Sequence, residues 1–195
     1  MSMRPFVLAL VLLLSACTGQ SPVIQVESTR FHQAGMTPRS FVVLPPAGQV
    51  PDALFTATAD QVVTAMTALG WRQSDAEDGR AAVVRLRYGT DAPVRETVLS
   101  PSAVPPVGAW GYRRRWDDPF PYWQAERVVY VPKWLSLTIA DGDDVRAPLL
   151  FEGRVTSRRG GAEIGPILPY LVRGMFDGFP GPNGGTEQKA LTVQP

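Results

Sequence analysis

Residues 164–179, with the sequence IGPILPYLVRGMFDGF, carry the clearest hydrophobic periodicity in the chain. Their apolar side chains recur every three or four positions, the spacing of one face of an α-helix: Ile164, Ile167, Leu168, Leu171, Val172, Met175, Phe176 and Phe179. Pro166 suits the first turn of a helix, whereas Gly178 and Pro180 end one. The pattern therefore predicts a helix with one strongly apolar face, which must pack on another layer.

A second amphipathic helix is predicted over residues 52–69, followed by a glycine that ends it. Gly70 stands where a left-handed C-terminal residue is common, and Trp71 can fold back on the last turn. The apolar positions again fall three or four residues apart: Phe55, Ala59, Val62, Val63, Met66 and Leu69.

Alternating apolar and polar residues predict strands around these helices. The predicted strands are 23–27, 39–44, 81–88, 127–140 with an interruption at Pro132, and 149–157. The run 141–144, Asp-Gly-Asp-Asp, predicts the turn between the last two. Since most consecutive elements are strands, we expect an α+β fold: a two-layer sandwich, with a mostly antiparallel sheet of about five strands and both helices on one face.

The remaining segments lack a core-forming pattern. For residues 90–124 the sequence predicts a long insertion or a floppy hairpin within the domain 23–180, and for residues 181–195 it predicts a flexible tail. The second half of the insertion combines aromatic residues with arginines, which stack on rings or pair with anions. One hypothesis is contact with a ligand or partner through Trp110, Tyr112, Arg113, Arg114, Arg115, Trp116, Tyr122 and Trp123. The alternative is that the aromatic residues cover an exposed sheet edge and the arginines are solvated.

The N-terminus has the layout of a secretory signal, because Arg4 precedes an uncharged apolar run over residues 6–16. This run is too short to span a bilayer. Residues 14–17, Leu-Ser-Ala-Cys, resemble the lipobox of bacterial lipoproteins. The resemblance implies cleavage between Ala16 and Cys17 and attachment of a diacylglycerol to the Cys17 thiol. The alternative is an ordinary signal peptide with a chance cysteine nearby.

A lipid on Cys17 has consequences for the whole chain, because Cys17 is the only cysteine. No thiol then remains for a disulfide or a nucleophile. Residues 17–22 would form a short tether to the membrane. Removal of residues 1–16 takes away Arg4 and leaves 18 basic and 18 acidic residues, and this balance argues against both nucleic acid and anionic lipid as primary partners. In the bacterial lipoproteins that the lipobox resembles, an Asp after the lipidated cysteine retains the protein in the inner membrane. The resemblance with Thr18 at this position therefore implies the periplasmic face of the outer membrane in a Gram-negative host.

The chain resembles bacterial lipoproteins of the domain-of-unknown-function family 4136 over residues 17–180. After the lipobox, the resemblance rests on four segments: 39–45 (RSFVVLP), the helix end 69–71 (LGW), the strand pair 135–139 and 150–155, and the helix end 175–180 (MFDGFP). It implies a small α+β envelope module, and it carries over no catalytic residues.

Side chains that could support catalysis or metal binding are sparse. His32 is the only histidine, so a histidine metal cluster or a Ser-His nucleophile is not expected. Asp141, Asp143 and Asp144 lack the spacing of a calcium loop, and Glu152 and Glu163 lack an evident carboxylate partner. We expect no metal and no cofactor.

The sequence thus predicts a lipid-anchored envelope protein without enzymatic activity, whose insertion contacts an envelope protein or an anionic glycan. One alternative is a cell-wall or glycan hydrolase with a carboxylate pair formed only in the folded chain. Another is a purely structural subunit of an envelope complex.

Overall fold

The protein is built on a mixed β-sheet, and a computed structural model describes it over residues 23–46, 48–74, 81–102, 122–144, 146–158 and 162–193. Its strands are β1 (Val23–His32), β2 (Ser40–Leu44), β3 (Arg72–Gln73), β4 (Ala82–Thr90), β5 (Val94–Ser102), β6 (Tyr122–Tyr130), β7 (Lys133–Ala140), β8 (Leu149–Ser157) and β9 (Thr186–Thr192). Its helices are α1 (Ala53–Ala68) and α2 (Leu168–Phe176), and a 3-10 turn, Gly165–Ile167, leads into α2.

In the described chain, seven strands form the main sheet in the order β3-β2-β4-β7-β8-β1-β9. Strand β2 runs parallel to β3 and β4, and the other neighbours are antiparallel. The predicted α+β class with a mostly antiparallel sheet is confirmed. The prediction of about five strands is wrong, because β3 and β9 extend the sheet at its two edges.

Strand β9 corrects the prediction of a flexible tail from residue 181 onward. It pairs with β1 along its whole length, from Val23 opposite Thr192 to Thr29 opposite Thr186. Of its seven residues only Leu191 buries a large apolar side chain. The strand is therefore held mainly by backbone hydrogen bonds, and such a strand leaves almost no hydrophobic pattern in the sequence.

One core joins the two helices to the sheet. Phe55, Val62 and Met66 of α1 are buried in the same cluster as the apolar residues of α2 and of strands β1, β2, β4, β7, β8 and β9. Asp52 starts α1 by accepting a hydrogen bond from the Phe55 amide at 2.6 Å. Gly70 follows α1 with φ +87°, as expected for the residue that ends this helix.

A buried arginine ties β1 to the end of α2. The side chain of Arg30 is 1% exposed, and its Nη2 donates to the carbonyl oxygens of Gly174 at 2.6 Å and Asp177 at 3.2 Å. Its Nη1 lies 3.3 Å from a carboxylate oxygen of Glu187. Burial lowers the pKa of Arg30, whereas the charges of Glu187 and Asp177 oppose this shift. The guanidinium thus neutralises the carbonyl end of α2 and links it to β1 and β9.

Gly181 leaves room for this guanidinium, and a pair of glycines tests the contact. A Cβ at Gly181, where φ is +79°, would lie 2.3 Å from Arg30 Nη1, whereas a Cβ at Gly35, where φ is +78°, meets nothing within 4 Å. Both alanine variants carry the left-handed strain of about 1 kcal/mol. We expect Gly181→Ala to lower the free energy of unfolding by a further 1–3 kcal/mol or so, because it displaces a buried charge. Urea unfolding of both variants measures the difference, and equal losses would contradict it.

Candidate interaction surface

Strands β5 and β6 form a two-stranded antiparallel ribbon apart from the main sheet. The ribbon prolongs the β4–β7 pair, since β5 begins four residues after the end of β4 and β7 begins three after the end of β6. Nine paired residues correspond to a length of about 30 Å. Among the described residues, β5 and β6 contact each other extensively, and neither makes comparable contact with another helix or strand. The ribbon is therefore an arm that extends from the sheet.

Large apolar side chains of this arm are exposed to solvent. Leu99 is 62% exposed, Trp123 63% and Val129 57%, and the side chains of Val94, Val98 and Val128 are also exposed. A two-stranded hairpin on its own is marginally stable in water, and contiguous exposed apolar surface usually marks an interaction site. These two facts make the ribbon the candidate interaction surface of the described chain.

The pairing register sorts the ribbon side chains onto two faces of opposite charge. Arg95 pairs with Val129, Thr97 with Arg127, Leu99 with Ala125, and Pro101 with Trp123, so these residues share one face, here called the basic face. The alternate pairs make up the other face, here called the acidic face: Val94 with Tyr130, Glu96 with Val128, Val98 with Glu126, and Ser100 with Gln124. The three most exposed apolar residues of the ribbon all lie on the basic face.

The base of the ribbon is fixed to the sheet by polar contacts. The Asp91 amide donates a hydrogen bond to the Pro132 carbonyl at 2.9 Å. This bond joins the segment between β4 and β5 to the segment between β6 and β7, where the ribbon meets the β4–β7 pair. Arg154 of β8 lies 3.3 Å from the Asp91 carboxylate and 4.4 Å from the centroid of the Trp134 ring. A Cβ at Gly89, the partner of Trp134 across the strands, would lie 2.9 Å from this ring. Gly89 therefore allows the indole to lie against β4.

The register also shows which end of the sheet carries the ribbon. Thr90 pairs with Lys133, Lys133 pairs with Ser157, and Ser157 pairs with Val26. The end of β4, the start of β7, the end of β8 and the beginning of β1 consequently lie side by side. The ribbon and the segment that precedes β1 leave the same end of the sheet.

The predicted contact residues of the insertion lie mostly outside the described residues, which resume at Tyr122. This applies to Trp110, Tyr112, Arg113, Arg114, Arg115 and Trp116. Tyr122 is the first residue of β6, and Trp123 is exposed on the basic face. Cys17 and its cleavage site also lie outside the described residues.

Residues 94–102 and 122–130 are paired strands, which fits the hairpin alternative for residues 90–124. The predicted strand 127–140 includes the end of β6, whereas the sequence indicated neither β5 nor the pairing. The missed residues are Arg95, Leu99, Arg127 and Val129. Because both ribbon faces combine charged and apolar residues, neither strand shows the alternation that marks a half-buried sheet.

His32 and the aspartates of the 141–144 turn contact other parts of the fold. His32 ends β1, and its Nε2 lies 3.1 Å from the Gly181 carbonyl oxygen. In the turn between β7 and β8, Asp141 pairs with Arg39 and Asp143 pairs with Arg85. Within the described ranges no group of three His, Cys, Asp or Glu residues could hold a metal ion.

Two acidic residues border one shallow pocket of about 380 Å³ on the face of the sheet. Glu27 of β1 pairs with Thr156, and Glu152 of β8 pairs with Phe31. The two carboxylates therefore lie on neighbouring strands and are offset by four residues along the strand direction. This offset separates their Cα atoms by about 13 Å along the strand direction. Glu163, the other carboxylate considered for hydrolysis, is exposed in the segment before α2.

A groove between α1 and α2 has a volume of about 670 Å³. Its lining includes the apolar residues Leu69, Val172 and Phe176 and the charged residues Asp60 and Arg173. Across the described residues, no helix is long and apolar enough to cross a membrane.

The similarities of this chain to known proteins are to solved structures and at low sequence identity. No protein-family model and no curated protein matches the chain. A PDZ domain protein from Parabacteroides distasonis is similar with a TM-score of 0.50 at 10% identity, over 93% of this chain and 42% of that one. A DUF4136 family protein from Bacteroides thetaiotaomicron has a TM-score of 0.41 at 12% identity, over 78% of this chain and 95% of that one. The chain thus spans less than half of the first protein.

The exposure of the ribbon predicts its dynamics in the purified protein. Opening the ribbon breaks few contacts beyond its own hydrogen bonds, whereas opening β7 and β8 disrupts the core. We expect the amides of β5 and β6 to exchange with deuterium at least about 100-fold faster than those of β7 and β8. Hydrogen-exchange mass spectrometry measures both pairs in one experiment. Similar protection in the two pairs would show that the ribbon is stable without a partner.

Proposed function

We propose that this protein is a lipoprotein of the bacterial cell envelope, anchored through Cys17, with a non-catalytic binding role. Its place would be the periplasmic face of the outer membrane, and its family the domain-of-unknown-function family 4136. The lipobox and the family resemblance of the sequence support the anchor. The exposed ribbon is the observation that supports a binding role, because its apolar side chains are otherwise unfavourably exposed to water.

The fold supports the same proposal. The shared core of α1, α2 and the sheet is consistent with a body in which both helices cover one face. The ribbon then extends from a stable body, a common arrangement for binding segments. An envelope component that covers the ribbon would bury Leu99, Trp123 and Val129, and burial stabilises by about 1.5–3 kcal/mol for each large apolar side chain.

Lipidation is tested by acyl labelling of the full chain in a Gram-negative host. We expect the wild-type protein to incorporate an alkyne-tagged fatty acid, and Cys17→Ser to lose the label and most of its membrane association, because the acyl chains supply most of the binding energy. Thr18→Ser serves as the matched control and keeps both properties. Cleavage without acylation of the wild type would identify an ordinary signal peptide. Thr18→Asp should shift the protein to the inner membrane fraction.

The binding role is tested by thiol labelling in native envelopes. In Trp123→Cys, we expect an impermeant maleimide to react several-fold more slowly in native envelopes than in detergent, because the ribbon is covered there. Phe31→Cys is the matched control, since Phe31 is an exposed aromatic residue on the sheet. Its labelling should differ little between the two preparations. Equal rates at position 123 would argue against a covered ribbon, and labelling of the wild-type chain would reveal a free Cys17.

A further inference from the structure

The basic face of the ribbon has the composition of a membrane-surface contact. It joins the three most exposed apolar side chains of the ribbon, Leu99, Trp123 and Val129, to two arginines, Arg95 and Arg127. Tryptophan favours the interface between lipid and water, and arginine favours anionic headgroups. The acidic face of the ribbon instead carries Glu96 and Glu126, which such a surface repels.

The position of the ribbon brings this face close to the membrane. The ribbon and the segment before β1 leave the same end of the sheet, and in the sheet order two strand spacings separate β7 from β1. The start of β7, at the base of the ribbon, thus lies about 10 Å from the start of β1, measured across the strands. If Cys17 is lipidated, the six peptide units between Cys17 and Val23 hold Val23 within about 20 Å of the bilayer.

The lengths of the ribbon and of the tether, residues 17–22, favour contact between the ribbon and the membrane. The ribbon is about 30 Å long, which exceeds the reach of the tether. Because the ribbon and the tether leave the same end of the sheet, the short tether favours a ribbon that points toward the bilayer or lies along it. When the ribbon lies along the bilayer, one of its faces is turned to the headgroups, and the charges select the basic face.

We propose that the basic face of the ribbon docks on anionic lipid headgroups beside the lipid anchor and holds the body in a fixed orientation. This inference rests on the proposed lipidation of Cys17. The occupant of the ribbon is then the bilayer surface itself. On a strongly anionic surface, Arg95 and Arg127 together should favour the docked state by about 30-fold.

Neighbouring residues of β6 provide a matched test of this docking. Val129 lies on the basic face and Val128 on the acidic face, and both are exposed. The variants Val129→Cys and Val128→Cys are purified with their lipid, labelled with an environment-sensitive fluorophore, and inserted into phosphatidylcholine vesicles with or without phosphatidylglycerol. The lipid on Cys17 leaves the introduced cysteine as the single reactive thiol.

We expect lipids that carry a nitroxide on the headgroup to quench the label at 129 several-fold more than the label at 128, and only when phosphatidylglycerol is present. Adding Arg95→Gln and Arg127→Gln should abolish the difference, as should 1 M salt, which reduces the Debye length to about 3 Å. Because these side chains are exposed, the substitutions leave the core unchanged.

Other results would overturn the proposal in identifiable ways. Equal quenching at both positions means that the faces are not distinguished. No quenching at either position, in protein that still floats with the vesicles, shows a ribbon that avoids the bilayer. If the labels are in addition shielded in native envelopes, the occupant is a protein. Labelling of the wild-type chain at Cys17 instead refutes the lipid anchor, and with it the proposed function.

Discussion

The backbone pairing across strands β4, β7, β8 and β1 is the constraint on which the rest of the structure depends. Because Lys133 pairs with both Thr90 and Ser157, and Ser157 with Val26, four strand ends are fixed side by side. A shift of one residue in any pair would turn the buried side chains of that strand to the solvent. The hydrophobic core therefore fixes the register, and the register fixes the end of the sheet from which the ribbon leaves.

The buried guanidinium of Arg30 plays a complementary role at the other end of β1. It meets the last carbonyl groups of α2 and the carboxylate of Glu187 in β9, so a single side chain joins a helix and two strands. A buried charge is favourable only when it is well paired, and removal of its partners leaves a costly group inside the fold. This contact adds to the backbone pairing that holds β9 in the body, although β9 contains one buried apolar side chain.

The fold was predictable from the sequence where burial creates a period. Met66 and Met175 lie in apolar stripes that predicted both helices, and Leu135 to Ile139 alternate as a half-buried strand. Strands β9 and β5 were not predictable in this way, because backbone pairing holds them and their side chains are largely exposed. For the candidate site, Trp123 was identified from its aromatic and basic surroundings. The sorting of charges into two faces required the register, which depends on the position of the hairpin connection.

The shared sheet end is tested most directly by distances between spin labels in the lipidated protein. In the register, Thr90 is level with Val26 of β1, at a distance of three strand spacings. Along the strand direction, Thr90 is therefore offset by one residue from Glu27 and by five residues from Phe31. Pulsed electron-spin measurements between cysteine labels should therefore give about 15 Å for Glu27–Thr90 and about 22 Å for Phe31–Thr90. A shorter distance for Phe31–Thr90 than for Glu27–Thr90 would place the ribbon at the opposite end of the sheet and contradict the account.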